Sequence, residues 1–292
     1  MKMKDYIIIT DSSCDLTPML AQETQIEVIP LHLTMEGKEY RNMLDGSDID
    51  SKTFYGKLRS GITATTSAIN PDVFTEFFEK SINNGKDILY LGFSSGLSST
   101  FHASTIAAEE LTQKYPDSKI YCVDTLAASM GQGLLIFLAA EKKKNGATIE
   151  EVRDFVEQNK LRLCHWFTVD DLNHLKRGGR VSATTALVGT MLNIKPILHV
   201  DDEGHLINVG KVRGRKASIE SLFAHMKESA VNPSEQTVFI SHGDCVEDAI
   251  TLKKMVEKEF SPKRIEINAI GPVIGAHSGP GTLALFFLGD KR

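Results

Sequence analysis

Three stretches concentrate hydroxyl side chains and glycines: residues 63–71 (TATTSAINP), 92–100 (GFSSGLSST) and 277–281 (HSGPG). None of them offers a cluster of carboxylates. In the second, Ser94 and Ser95 leave a strand and Gly96 permits an unusual turn, and Ser98 or Ser99 can cap a helix starting near Thr100. The free N–H groups of such a helix start, with two hydroxyls beside them, make a ready anion site. Plain helix capping accounts for the same serines equally well. In the third, Gly279 and Gly281 let backbone approach a ligand closely, and Pro280 stiffens the turn. His277 beside them can donate a hydrogen bond to a carboxylate or gain charge from one, although a lone histidine is more often structural. In the first, Thr65, Thr66 and Ser67 precede Pro71 and a helix, which by itself reads as a turn with an N-cap.

The elements that position these stretches alternate between strand-like and helix-like runs. Residues 6–10, 87–93 and 119–123 read as strands, the first followed by Thr17-Pro18, an N-cap and first-turn pair. Residues 27–34 and 38–41 flank Glu36-Gly37 as a hairpin. A long helix after Val123 carries Leu134, Leu135 and Leu138 on one face and ends in Lys142–Lys144 and Asn145-Gly146. Thr148 and Glu151 form a capping box at once afterwards, which places the domain boundary nearby. Beyond it, residues 163–169, 236–241, 265–270 and 282–288 read as strands. Residues 196–200 and 206–209 form a second hairpin, and helices are expected at 181–192, 216–229 and 245–259. The pattern predicts a two-domain α/β protein, residues 1–160 and 161–292, with a mostly parallel sheet and flanking helices in the first. Ligands in such sheets sit beyond the C-terminal strand ends, where these loops fall.

Composition narrows the function. The chain has 292 residues, enough for two domains, with 41% apolar and 24% charged residues, as in folded globular proteins. A net charge of −5 opposes phosphate-gripping nucleic-acid binding. No apolar run reaches a membrane span, and Asp11 cuts the N-terminal one short, so a cytoplasmic protein is expected. Cys14, Cys122, Cys164 and Cys245 lie far apart, which reads as reduced thiols.

In order along the chain, IIITDSSCDL, IEVIPLHLTMEGKEYRN, TSAIN, SSGLSST, VDTLAASMGQG, LKRGGRVS, NIKPIL, VGKVRGRKAS and HSGPGTLAL resemble the signature set of the DegV family, which includes the fatty-acid-binding subunits of bacterial fatty acid kinase. The resemblance covers essentially the whole chain. Residues 68–70 are Ala-Ile-Asn where that family usually has a proline and a serine, and Ser99 replaces a usual glycine, whereas Thr66, Ser67, Ser94, Ser95 and His277 are kept. The resemblance implies two α/β domains with one long-chain fatty acid between them. It implies a carboxylate held by Thr66, Ser95 and His277, a pocket shaped by Ser67, Ser94, Gly96, Ser278, Gly279 and Gly281, and an acyl tunnel in the second domain. It further implies no cofactor and no catalysis by this chain. A separate ATP-binding kinase subunit would phosphorylate the carboxylate for phospholipid synthesis, with at most transient membrane contact. Neutral hydroxyl and imidazole donors suit both a carboxylate and an acyl phosphate. No GxxxxGK[ST] loop is present.

Two basic clusters, Lys176, Arg177 and Arg180, and Lys211, Arg213, Arg215 and Lys216, read as solvated surface, or as groups that dock the kinase subunit or neutralise phosphate during transfer, with Arg180 and Arg213 the candidates. The alternative is a serine hydrolase or acyltransferase built on Ser95 and His277, but its third triad member is not identifiable. A DNA-binding regulator using residues 211–216 is opposed by the charge balance. A phosphatase site at Asp11 and Cys14 lacks its arginine loop and second aspartate.

Overall fold

The computed structural model describes residues 4–182 and 193–292. The helix expected at 181–192 lies outside them except for its first two residues. Strand β1 (Tyr6–Asp11) is apolar, rich in β-branched residues and buried along its whole length. Helix α1 (Pro18–Thr24) follows, capped by Thr17, whose hydroxyl accepts from the Leu20 N–H at 3.1 Å. The run at 27–34 does not form one strand. It divides into β2 (Glu27–Ile29), which pairs in parallel with β1, and β3 (His32–Met35), which belongs to a separate small sheet. Pro30 sits at the break, where its missing N–H cannot continue a ladder. The hairpin to β4 (Lys38–Arg41) turns at Glu36 and Gly37, both at positive φ.

After α2 (Ser51–Arg59), the segment read as a turn contains β5 (Ala64–Ser67), antiparallel to β3 with Thr66 opposite Leu33. Two consecutive β-branched threonines favour extended backbone over a turn. The N-cap was legible all the same, since Asn70 caps α3 (Pro71–Asn83). Strand β6 (Asp87–Gly92), helix α4 (Thr100–Lys114) and strand β7 (Ile120–Asp124) complete a parallel sheet of order β2-β1-β6-β7.

Helix α5 (Ser129–Lys144) departs from the one-faced expectation. Every residue from Ser129 to Phe137 is buried, because the helix touches β1 and β6 on one side and β8, β11 and β13 on the other. A helix enclosed between two sheets has no solvent face to keep polar. Gly131 and Gly133 permit the approach: a Cβ on Gly133 would lie 2.7 Å from the Cys14 carbonyl oxygen, and one on Gly131 would lie 2.8 Å from the Phe286 ring.

The capping box is present, with Thr148 N–H to Glu151 at 2.7 Å and Glu151 N–H to Thr148 at 3.2 Å, and opens α6 (Ile149–Asn159). The chain continues through β8 (Leu163–Thr168), α7 (Asn173–Arg177), β9 (Ile194–Val200), β10 (Leu206–Arg213), α8 (Arg215–Ser229) and β11 (Thr237–His242). It ends with α9 (Val246–Phe260), β12 (Arg264–Ala269), α10 (Pro272–Ser278) and β13 (Leu283–Leu288). These strands form a mixed sheet of order β10-β9-β8-β13-β11-β12, in which only β11 and β12 run parallel. The fold is therefore α/β, with a parallel sheet and flanking helices beside the mixed sheet. One core cluster runs from Ile8 and Leu89 through Leu134 and Leu135 to Phe239 and Phe286, joining the two sheets.

Candidate functional site

A cavity of about 290 Å³ opens where the two halves meet. Its wall draws on both. Leu31, Phe93, Leu97 and Ala128 come from the first, and Phe167, Leu175, Leu206, Val273, Ile274 and Ala284 from the second. Phe167, Ala284 and Ser241 stand in register across β8, β13 and β11, so the small Ala284 leaves a gap in the floor.

One end is polar. Thr66 on β5 and His277 on the last turn of α10 face each other, with Oγ1 to Nε2 at 2.8 Å. His277 is thus on a helix and not in the loop that the glycines suggested. Pro272 starts α10, and Gly279, at φ 78°, ends it with its N–H on the Gly275 carbonyl at 2.8 Å. Burial, then the positive charge of Arg180, pushes His277 down to about 4, so the ring is neutral at pH 7. Its Nδ1 has no partner, and Gly178 lies against it so closely that a Cβ there would collide with that nitrogen. Ser278 lines the same end, and its buried hydroxyl is also without a partner.

Gly279 and Gly281 are built for contact with protein. Both have positive φ, and a Cβ would meet the His174 ring from the first and the Asp170 carboxylate from the second. The glycine-rich turn therefore packs against α7 and the segment just before it, next to His277.

Arg180 was a candidate for the outer surface, but the structure puts it in the cavity wall, half-buried. Its Nε donates to the Leu97 carbonyl at 3.1 Å and its Nη1 to the Gly178 carbonyl. A guanidinium keeps its charge at any physiological pH. The expectation of neutral donors only is thereby corrected: the double-glycine turn folds Arg180 inward. Arg213, at the end of edge strand β10, stays exposed.

The serines of the second loop also depart from expectation. Ser95 is exposed and absent from the cavity wall, and its N–H lies 3.3 Å from both Asp124 carboxylate oxygens. Ser94 is fully buried and donates to the Gly204 carbonyl at 2.8 Å, while its oxygen accepts from the Gly96 N–H at 3.2 Å. A Cβ on Gly96 would lie 2.9 Å from the Glu203 carbonyl oxygen. This loop docks the β9–β10 turn; Ser98 and Ser99, one turn later, line the cavity with Ser67. Ser98 also accepts from the Thr100 N–H at 3.2 Å, but Ser99 holds the N-cap position of α4 and its side chain makes no capping bond.

Asp11 anchors the arrangement. It is fully buried and accepts from the Tyr90 hydroxyl at 2.7 Å, the Phe93 N–H at 3.1 Å, the Gln132 amide at 3.3 Å and the Ser13 N–H at 3.1 Å. It pins the C-terminal ends of β1 and β6 and the second turn of α5 behind the cavity. Sequence reading missed this, and missed Ser129, His165 and Ser241 in the cavity wall. Strand alternation was the available signal, since it puts Ser241 on the same face as Phe239.

The sequence model of the DegV family, described as an uncharacterised protein of that family, matches residues 6–290. The chain belongs to the DegV family. A DegV domain-containing protein of Clostridium perfringens is 50% identical over 290 residues, 99% of each chain. Among solved DegV structures, a lipid-binding protein of Thermotoga maritima superposes with a TM-score of 0.87 at 30% identity over 99% of each chain. One from Thermus thermophilus, described by its fatty acid binding, gives 0.88 at 28% identity over 98% of this chain and 100% of its own. One from Bacillus subtilis, described as a fatty acid binding protein, gives 0.86 at 27% identity over 99% of this chain and 100% of its own. Among the described residues of this DegV chain, no group of acidic, histidine and cysteine side chains is placed to hold a metal, and no helix is long and apolar enough to cross a membrane.

Proposed function

We propose that the chain binds one long-chain fatty acid in this cavity and presents the carboxylate to a separate ATP-binding kinase subunit. The observation that carries this reading is an apolar cavity closed at one end by Thr66, His277 and Arg180, with an unpartnered buried hydroxyl on Ser278. Buried polar groups without partners cost free energy, and a ligand that supplies the partners recovers it. Thr66 and the imidazole then donate to the carboxylate, and Arg180 balances its charge. Ser67, Ser98 and Ser278 border the head group, while the turn of Gly279 and Gly281 packs next to His277. Each buried methylene contributes about 0.8 kcal/mol, so the acyl chain supplies most of the affinity. The lipid-binding and fatty-acid-binding DegV proteins that share the fold support the ligand class.

In this reading a carboxylate oxygen attacks the γ-phosphorus of ATP on the partner, ADP leaves, and the acyl phosphate passes to phospholipid synthesis. Exposed Arg213 serves docking, the reaction takes place in the cytoplasm, and the chain itself is not the catalyst. The hydrolase reading has no support from the geometry. Ser95 faces outward, and His277 pairs with Thr66 and has backbone, not a carboxylate, behind Nδ1. Native mass spectrometry of the purified protein tests the proposal. A fatty acid mass is expected, and it is lost when Thr66→Val and His277→Ala are combined. Protein that is reproducibly empty and ignores added oleate or palmitate overturns it.

A further inference from the structure

A second polar station lies in the cavity wall away from His277. Ser129, the first residue of α5, and Ser241 on β11 both line the cavity, and both are buried. Their hydroxyl oxygens are 3.0 Å apart, and the Ser129 hydroxyl donates to the carboxylate of buried Asp15 at 2.6 Å. The other Asp15 oxygen accepts from the Gly271 N–H at 2.9 Å. Ser129 is held at φ 52°, an uncommon conformation for a residue with a side chain.

The protons in this relay can be followed one by one. Above about pH 7, with Asp15 ionised, Ser129 commits its single hydroxyl proton to the hydrogen bond with Asp15. Ser241 must therefore be the donor in the bond between the two serines. Neither hydroxyl then has a proton left, and the remaining lone pairs make the station an acceptor. An acceptor selects a ligand group that carries a proton. A bare methylene forfeits that bond, and a ketone presents lone pairs to lone pairs.

Helix α10 runs from the Gly271 N–H that holds Asp15 to His277, and its length gives the scale of the separation. Gly271, just before its first residue, is bound to Asp15, and His277 lies on its last turn. Six residues at a rise of about 1.5 Å separate them by about 9 Å. Ile270, Val273, Ile274 and His277 line the cavity along that length. For an extended eighteen-carbon chain whose carboxylate sits at His277, this distance reaches the middle of the chain.

We propose that the Asp15–Ser129–Ser241 relay is a second ligand subsite, which binds a hydroxyl carried at the middle of the acyl chain. The proposal rests on the fatty acid reading above and deepens it to a substrate class, mid-chain hydroxy fatty acids. It is tested by titration calorimetry of the full chain at pH 8 with stearic acid, 10-hydroxystearic acid and 10-oxostearic acid. The hydroxy acid is expected to bind tighter than the keto acid by roughly three- to tenfold, the scale of one net hydrogen bond. Ser241→Ala is expected to lower the ratio of hydroxystearate to stearate affinity by a similar factor. Ser241→Thr, which keeps a hydroxyl, is expected to restore it. Equal affinity for the hydroxy and keto acids, or a ratio unmoved by Ser241→Ala in a folded variant, overturns the subsite while leaving fatty acid binding intact. Failure of all three acids to bind overturns the carrier reading as well.

Discussion

At the head end of the cavity, Thr66 and His277 meet from residues 211 positions apart, and the Ser278 hydroxyl is left without a partner. Fewer than thirty residues after Thr66, the 94–96 loop holds similar groups with their polar atoms committed to protein: Ser94 to the Gly204 carbonyl and the Ser95 N–H to Asp124. Deeper still, Asp11 collects the donors of Tyr90, Phe93, Gln132 and Ser13. The difference separates two uses of buried polarity. A network that satisfies itself fixes the backbone, whereas one left incomplete awaits a ligand.

The largest expected effect comes from the satisfied network. Asp11→Ala strands several buried donors at once and removes the tie between β1, β6 and α5. A loss of about 3 kcal/mol or more is expected in urea unfolding. A loss below about 1 kcal/mol would show that solvent or neighbours satisfy those donors, and the division between the two networks would weaken.

The next comparison sets the head end against the docking loop. Thr66→Val and Arg180→Ala are each expected to lower fatty acid affinity about tenfold or more, with stability changed by no more than about 1 kcal/mol. Ser94→Ala should do the reverse. It costs about 1–3 kcal/mol of stability by stranding the Gly204 carbonyl, with affinity held within about threefold. Displacement of a fluorescent fatty acid, run beside thermal unfolding, reads both quantities. A Ser94→Ala protein that is stable but no longer binds would return the second loop to the carboxylate site.

Much of this was legible beforehand, and the gaps have physical causes. Thr17 and the Thr148–Glu151 box announced their helices because capping is a local exchange of hydrogen bonds. Thr66 and His277 were legible as candidates through family order. The direction of a side chain is a tertiary matter. Ser94 and Ser98 are four residues apart and chemically identical, yet only the packing of the Gly204 turn decides which one faces the cavity. Arg180 misled for the same reason. A basic residue after two glycines reads as surface until the turn carries it inward. Pro30 could have divided the 27–34 run, since a residue without an N–H is a poor member of a continuous strand.

Acid titration distinguishes the buried groups by sign. Burial lowers His277 and His199 to about 4 and His165 well below its usual value. Between about pH 6.5 and 4 the unfolded chain binds these protons and the folded chain does not, so stability falls as pH falls through that window. Asp15 works in the opposite direction. Burial raises it to about 7, so the folded state holds a proton that the unfolded state has released, and its contribution is lost as pH rises from about 4 through 7. His277→Gln should flatten the acid limb of stability against pH, and Asp15→Asn the limb approaching neutrality. Parallel curves for wild type and His277→Gln would mean that the ring reaches water in the unliganded protein.

The smallest effect belongs to the cation that stayed outside. Arg213 is exposed at the end of an edge strand, where a charge is hydrated and screened. Arg213→Ala should change stability by no more than about 0.5 kcal/mol and leave fatty acid affinity unaltered. Arg180→Ala, by contrast, removes a guanidinium fixed beside His277 by the Leu97 and Gly178 carbonyls, and the ligand loses its counter-charge. A mixture with the kinase subunit sharpens the contrast. If Arg213 serves docking, its removal raises the partner concentration needed for acyl phosphate formation, and added salt does the same to the wild type. Were Arg213→Ala to weaken fatty acid binding as much as Arg180→Ala, the two cations would share one electrostatic field, and burial would not be what separates them.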